Sequence, residues 1–162
     1  MAIEIERKFR VLNDDWRALA EAGRDFRQGY LGELSRVSVR VRVEGDLANL
    51  NIKSAEIGSS RLEFEYAIPL ADAETLLALA SGPLVEKRRH YVRVDGTLFE
   101  IDEFQGESRG LVIAEVELPH PDAPFPRPAW LGEEVTSDHR YYNVYLSRHP
   151  WRTWCGSAVG EP

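Results

Sequence analysis

Seven segments of this chain share one pattern, in which charged or polar residues alternate with apolar ones. Side chains of a β-strand point alternately to its two faces, so this period of two predicts strands with one charged and one apolar face. The segments are residues 2–11, 35–44, 47–55, 61–69, 84–94, 97–104 and 111–119. They predict a sheet in which the charges of many strands collect on one surface.

Turn and helix signals between these segments indicate the fold class. The pairs Gly45-Asp46 and Asp95-Gly96 are typical of tight turns between antiparallel strands. About eight strands, mostly joined by short turns, predict an α+β fold with an antiparallel sheet that is closed or nearly closed and has helices outside. The predicted helices are residues 16–23, 73–80 (capped by Asp72) and 139–148 (capped by Ser137 or Asp138), with a short helical turn at 129–135.

Composition excludes several classes of protein. A formal net charge of -7 argues against a general nucleic-acid binder, whose affinity depends on Lys and Arg contacts to phosphate. The only cysteine, Cys155, excludes an intramolecular disulfide framework. No apolar run approaches the length of a membrane span, and the charged N-terminus is unlike a secretory signal peptide. We therefore expect a cytoplasmic protein without a nucleic-acid or membrane partner.

One face of the seven segments carries nearly all of the ordered charge. Its residues are Glu4, Glu6, Lys8, Arg40, Arg42, Asn51, Lys53, Arg61, Glu63, Glu65, Lys87, Arg89, Glu100, Asp102, Glu115 and Glu117. An eight-stranded barrel has an interior just wide enough for side chains or one small ligand. With the apolar faces packed outward, these charges would line such a lumen. A flat antiparallel sheet with one wet face gives the same alternation, and this alternative stays open.

A charged lumen predicts a charged ligand. Burying charges costs free energy unless they pair with one another or bind something. Carboxylates suit a hard divalent cation such as Mg²⁺ or Mn²⁺, whereas Lys and Arg suit a chain of phosphates. Both groups in one lumen point to metal-assisted phosphoryl transfer from a polyphosphate, in which positioning and charge neutralisation supply most of the catalysis.

The motifs also resemble a known family. The opening "EIERKF" is similar to the E-x-E-x-K signature of the CYTH superfamily, the triphosphate tunnel metalloenzymes. The resemblance continues in order through "QGYL", "VRVR", "NIKSA", "RLEFEYAIP", "EKRRHYV", "EIDEF", "GLVIAEVELP" and "LGEEVTSDHRYYN", about residues 2–148. It is strongest to the short bacterial inorganic triphosphatases. It implies an eight-stranded antiparallel closed β-barrel, a tunnel with a charged lumen, in a domain of residues 1–150. Residues 151–162 have no counterpart in the resemblance, and their sequence predicts a loose tail.

The resemblance further implies a role for each lumen residue. Lys8 and Tyr30 are the catalytic candidates, although Tyr30 is equally well interpreted as a packing aromatic at a strand end. The substrate-binding candidates are Lys8, Arg40, Arg42, Lys53, Arg61, Lys87 and Arg89. The metal candidates are Glu4, Glu6, Glu63, Asp102, Glu115 and Glu117, with Glu65 a weaker one. The implied cofactor is Mg²⁺ or Mn²⁺, two ions with substrate bound; the implied partner is a small polyphosphate, and a homodimer stays open.

The implied function is metal-dependent hydrolysis of inorganic triphosphate to pyrophosphate and phosphate. Relatives in the superfamily act on thiamine triphosphate or nucleoside triphosphates, and one branch cyclises ATP, so these reactions stay open. A non-catalytic polyphosphate- or nucleotide-binding module is the other alternative. Such a module would not need so many acidic residues in its lumen, because carboxylates repel phosphate unless a metal is bound.

Overall fold

Eight antiparallel strands close into a barrel, and a ninth strand is attached to the first. The computed structural model describes residues 3–33, 36–55 and 58–156. The strands are β1 (Ile3–Val11), β2 (Arg24–Glu33), β3 (Val37–Glu44), β4 (Leu47–Ser54), β5 (Ser60–Ala67), β6 (Val85–Val94), β7 (Thr97–Phe104), β8 (Val112–Glu117) and β9 (Leu131–Glu134). The order β5-β4-β3-β2-β6-β7-β8-β1 closes where β1 pairs with β5. The predicted closed barrel of eight antiparallel strands is confirmed.

Two α-helices and four 3-10 turns complete the described structure. They are α1 (Leu70–Ala78), α2 (Asn143–Leu146) and the turns Asp15–Leu19, Gly106–Ser108, His139–Tyr141 and Trp151–Gly156. Among the described residues, none of the helices is long and apolar enough to cross a membrane.

The apolar faces of the strands point outward and are covered by the connecting segments. Helix α1 places Ala73 and Leu77 on Val41 and Val43 of β3. On another side of the barrel, Trp16 and Trp130 pack with the outer residues of the strands around β7. Removing this apolar surface from water is the main contribution to stability, so the charged faces are left to point inward.

The C-terminal segment fills one end of the barrel from inside. The buried cluster there consists of Val85, Phe104, Leu111, Ile113, Val135, Tyr141, Leu146, Trp151 and Trp154. Val85, Phe104 and Ile113 lie two residues along their strands from lumen charges, on the same faces. The lumen is therefore a cavity closed at this end by α2 and the turn that follows it. Of the two described α-helices, α1 lies outside the barrel as predicted and α2 does not.

The loose tail predicted from Pro150 onward is corrected by this packing. Trp151 and Trp154 are buried, with ring centroids 4.8 Å apart, because the closed end of the lumen needs large apolar side chains to fill it. Residues 157–162 lie outside the described part of the chain.

Four predicted helical segments also differ from the structure. Residues 16–23 form only a short 3-10 turn, because the chain returns to extended backbone at Ala20 and bridges to Val92. Helix α1 begins after Pro69, whose fixed φ suits a helix start, rather than after Asp72. The segment 129–135 contains β9 instead of a helical turn, since its backbone completes the edge of β1. The final helix is interrupted at Tyr142, which has extended backbone angles.

Candidate active site

The lumen holds a cavity of about 200 Å³ that is walled almost entirely by charged and polar side chains. Its walls include all seven predicted substrate-binding residues, Tyr30, and five of the six predicted metal ligands, with Asp102 the exception. The other wall residues are Ser38, Asn51, Glu65, Glu100, Tyr142, Asn143 and Val144. One concave site therefore gathers residues from every strand of the barrel.

Strand register explains how residues distant in sequence meet here. Lys8 lies opposite Glu115 and Glu6 lies opposite Glu117 in the β1–β8 pair. On its other edge β1 pairs with β5, and there Glu4 lies opposite Arg61. Directly opposed residues of antiparallel strands share a face, so each pairing brings opposite charges or a pair of carboxylates to the same level of the lumen.

The deepest charges form one network of ion pairs. The Arg89 guanidinium donates to both oxygens of Asp102 at 2.7 and 2.9 Å and to Glu115 at 3.1 Å. Lys87 donates to Asp102 at 2.7 Å, and Lys8 donates to the second oxygen of Glu115. Each of these five side chains therefore has at least one partner of opposite charge within the network.

Burial and pairing act in opposite directions on the pKa values of this network. Burial alone would raise the pKa values of Asp102 and Glu115, but the neighbouring cations outweigh it and lower both. Burial lowers the pKa of Lys87 to about 8, partly offset by Asp102. For Lys8, the two carboxylates Glu115 and Glu6 outweigh burial, so its pKa is raised. Lys8 is therefore a permanent cation near neutral pH rather than a base.

Asp102 is engaged in a way that sequence reasoning did not foresee. It is only 1% exposed, and both of its oxygens accept hydrogen bonds from cations. A metal ion could reach it only if those ion pairs opened. In this arrangement its carboxylate holds Lys87 and Arg89 in place.

A second part of the lumen has an excess of positive charge. Arg40 is buried, and within the described residues it has no ion-pair partner. The Nε atoms of Arg40 and Arg42 are buried without a hydrogen-bond partner in the same part of the chain. Burial and the neighbouring guanidinium of Arg40 lower the pKa values of both Arg42 and Lys53. Uncompensated buried cations are costly, and an anion bound between them would remove the cost.

Four carboxylates of the cavity wall lie near one another. Glu4, Glu6, Glu63 and Glu117, which we call the acidic corner, lie on adjacent strands. Burial raises the pKa of Glu117, and repulsion by the other three carboxylates raises it further. A bound cation would relieve this repulsion. The described residues do not, however, hold three such side chains already arranged around one metal position.

Tyr30 lies at the boundary between the strands and the lumen. It is opposite Arg40 in the β2–β3 pair and is 7% exposed. It forms part of the cavity wall.

Sequence reasoning missed three residues of the site, which are Tyr142, Asn143 and Val144. Tyr142 and Asn143 were expected in a helix outside the barrel, yet they reach the cavity because the chain is extended at Tyr142. The available signal was the motif "SDHRYYN", which the resemblance included without giving its last two residues a role.

Comparison with known proteins agrees with this architecture. The chain is 45% identical to an inorganic triphosphatase of Acetivibrio thermocellus over 155 residues, which covers 95% of this chain and 99% of that protein. It is 40% identical to an inorganic triphosphatase of Nitrosomonas europaea over 148 residues, 89% of this chain and 96% of the other. A crystal structure of an inorganic triphosphatase superposes with a TM-score of 0.65 at 36% identity, covering 91% of this chain and 95% of that one.

The profile of the CYTH domain matches residues 2–145, which include all nine described strands. With the closed barrel, the charged lumen and two full-length relatives, this match establishes that the chain belongs to the CYTH domain family.

Proposed function

We propose that this protein hydrolyses inorganic triphosphate to pyrophosphate and phosphate, with Mg²⁺ or Mn²⁺ as cofactor. The observation that carries the proposal is the lumen cavity of about 200 Å³, in which seven Lys and Arg side chains and a set of carboxylates converge. The two relatives named inorganic triphosphatase support the choice of substrate, since this chain matches nearly their full lengths.

The substrate would bind through the seven cations of the lumen. Arg40 and Arg42 have buried Nε donors that no described protein atom accepts, so phosphate oxygens are their natural acceptors. Glu4 accepts hydrogen bonds from Lys53 at 3.3 Å and from Arg61 at 3.1 Å. When a metal ion binds Glu4, these two cations would be released from its carboxylate and could bind phosphate instead. Lys8, Lys87 and Arg89 would meet the part of the chain that reaches deepest.

The acidic corner fits a divalent metal by the chemistry of its donors. Glu4, Glu6 and Glu63 repel the carboxylate of Glu117, and a group of carboxylates suits a hard cation that keeps some of its water. Glu4, Glu6, Glu63 and Glu117 would therefore hold the ions, two with substrate bound. A bound metal supplies charge neutralisation at the phosphate oxygens and lowers the pKa of coordinated water. Glu115 and Asp102 would join only after release from Lys8, Lys87 and Arg89.

Lys8 and Tyr30 remain the proposed catalytic residues, with different tasks. Lys8 keeps its proton, because Glu115 and Glu6 outweigh burial and raise its pKa, so it would stabilise negative charge that develops on phosphate. Tyr30 would orient a phosphate oxygen or the attacking water from its place beside Arg40.

The polar character of the walls favours an all-phosphate substrate. Nearly all described wall residues are Glu, Lys, Arg, Asn or Ser, and the exceptions are Tyr30, Tyr142 and Val144. The wall therefore offers little apolar surface for a base or a thiazolium ring. Thiamine triphosphate, nucleoside triphosphates and non-catalytic binding are therefore outcomes to be tested rather than second proposals.

The test is phosphate release from purified protein with inorganic triphosphate, ATP, GTP and thiamine triphosphate, each with Mg²⁺, Mn²⁺ or EDTA. We expect strong release from inorganic triphosphate that EDTA abolishes. Preference for an organic triphosphate would move the substrate assignment and keep the chemistry. Absence of release, with triphosphate still raising the melting temperature, would identify a binding module.

Four further expectations belong to this proposal. The functional domain is residues 1–150, although Trp151 and Trp154 pack against it. We also propose a cytoplasmic location, a small polyphosphate as partner without nucleic acid or membrane, and either a monomer or a homodimer. Cell fractionation and light scattering would test location and oligomeric state.

A further inference from the structure

The closed end of the cavity is formed by Tyr142, Asn143 and Val144, which we call the floor. These residues carry no charge, so a search for phosphate- or metal-binding residues passes over them. Two of them nevertheless contact cations that the strands supply. The positions of those cations therefore depend on the floor as well as on the strands that carry them.

The side chain of Asn143 joins Lys87 to a buried amide. Its Oδ1 accepts hydrogen bonds from Lys87 Nζ at 3.0 Å and from Gln28 Nε2 at 2.7 Å. A lysine ammonium has donors only, so the atom that faces it must be the oxygen, which fixes the orientation of the amide. Lys87 is thereby held between Asp102 of β7 and Asn143 of the C-terminal segment. Neither acceptor alone would define the position of the ammonium group.

The ring of Tyr142 does the same for two other cations. Lys8 Nζ and Arg61 Cζ lie 5.2 and 5.1 Å from its centroid, within the range of a cation–π interaction. The hydroxyl donates to the Thr136 carbonyl at 2.8 Å and accepts from the Gly58 amide at 3.3 Å. These bonds fix the ring between two loops, so the ring is a rigid support rather than a mobile cover.

We propose that Tyr142 and Asn143 are positioning residues for the reaction, because together they hold Lys8, Arg61 and Lys87 at the closed end of the cavity. This inference rests on the proposed function. Donors fixed before the reaction stabilise developing charge without reorganisation, and small displacements of such groups lower rates strongly. A phosphoryl group that reaches the floor meets three cations whose positions are set by a segment outside the barrel strands.

The first test compares Asn143→Leu with Gln28→Leu as a matched control. Both variants lose the bond between the two amides, but only Asn143→Leu takes an acceptor from Lys87, and Gln28 does not line the cavity. We measure kcat and KM for inorganic triphosphate with Mg²⁺, together with the melting temperature. Asn143→Leu is expected to lower kcat on the order of tenfold or more, the effect of losing a hydrogen bond to a charged group, with a smaller change in KM. Gln28→Leu is expected to change mainly the melting temperature.

The second test separates the ring of Tyr142 from its hydroxyl. Tyr142→Phe keeps the ring beneath Lys8 and Arg61, whereas Tyr142→Leu removes it. A larger fall in kcat for Tyr142→Leu than for Tyr142→Phe supports the inference. Equal kcat losses in Asn143→Leu and Gln28→Leu, or unchanged kcat at a lower melting temperature, would overturn it, since both describe a purely structural floor.

A parallel measurement distinguishes failure of this inference from failure of the proposed function. The rise in melting temperature caused by inorganic triphosphate with Mg²⁺ reports binding in the absence of turnover. If the wild-type protein does not hydrolyse triphosphate, the proposed function fails, and the floor still predicts a smaller rise for Asn143→Leu than for Gln28→Leu. Equal rises in that case would overturn the floor as well.

Discussion

Replacing Asp102 by asparagine removes the carboxylate that Lys87 and Arg89 share. Asp102 is 1% exposed and binds Lys87 at 2.7 Å and Arg89 at 2.7 and 2.9 Å. Breaking a buried ion pair from one side costs about 3–5 kcal/mol, because the remaining charges stay buried without compensation. Asparagine keeps one acceptor oxygen, so we expect the lower end, a loss of about 3 kcal/mol in the free energy of unfolding.

Urea unfolding followed by tryptophan fluorescence measures this loss. For a domain of this size, each kcal/mol corresponds to about 2–4 °C in melting temperature, so the variant should melt about 6–12 °C lower. Asp25→Asn is the matched control, because Asp25 pairs with Arg88 at 3.0 Å while its side chain is 65% exposed. Loss of that surface pair should cost less than about 1 kcal/mol.

The same variant separates two roles for Asp102. As the anchor of Lys87 and Arg89, its loss should raise KM for triphosphate and leave the half-saturating Mg²⁺ concentration unchanged. A variant that is as stable as wild type but needs much more Mg²⁺ would refute the reasoning, and would return Asp102 to the metal ligands that the sequence predicted.

Other residues of the lumen make separable predictions. Glu117→Gln removes one proposed metal ligand, so it should raise the half-saturating Mg²⁺ concentration about tenfold or more. It should cost little stability, because it also removes a carboxylate that the neighbouring ones repel. An unchanged Mg²⁺ titration would contradict this. Arg42→Ala should raise KM about tenfold or more without altering the Mg²⁺ dependence, since its free Nε faces no described acceptor. Burial lowers the pKa of Lys87 to about 8, so its charge is lost as pH rises through that value, and KM should increase above pH 8. The effect on stability is different. The unfolded state keeps the Lys87 proton up to a higher pH than the folded state, so the free energy of unfolding should increase between pH 8 and pH 10. Urea titrations at these two pH values would detect the increase.

The strands could be predicted from the sequence because each has an apolar face that packs outward and a charged face that points into the lumen. In "SRVSVRVRVE", a slip of one residue would place Val41 and Val43 in the lumen and Arg40 and Arg42 against α1, so the register is determined by the pattern itself. All the lumen cations could therefore be assigned before any coordinates were known. The same pattern could not reveal Asp102's ion pairs, which depend on the depth at which β6 and β7 cross the lumen.

The C-terminal half of the site was unpredictable for a different reason. Tyr142 and Asn143 owe their position to packing across the whole chain, with Tyr142 bonded to Gly58 and Asn143 to Gln28. Local periodicity carries no record of such distant contacts. Strand β9 was missed because its four residues, "LGEE", are too few to show alternation, and their partner on β1 is more than a hundred positions away.

The pairing of β1 also has a consequence for how the chain folds. Strand β1 precedes the other described strands in the chain and pairs with β5, β8 and β9, and the ion pair between Lys8 and Glu115 joins residues 107 positions apart. Contacts of such long range form late and slowly, because the loop they close costs much entropy before it is rewarded. During synthesis, Lys8 and Glu6 must therefore remain hydrated until the last strands leave the ribosome. Barrel closure and loss of water from these charges then become one event, so we expect refolding to be slow.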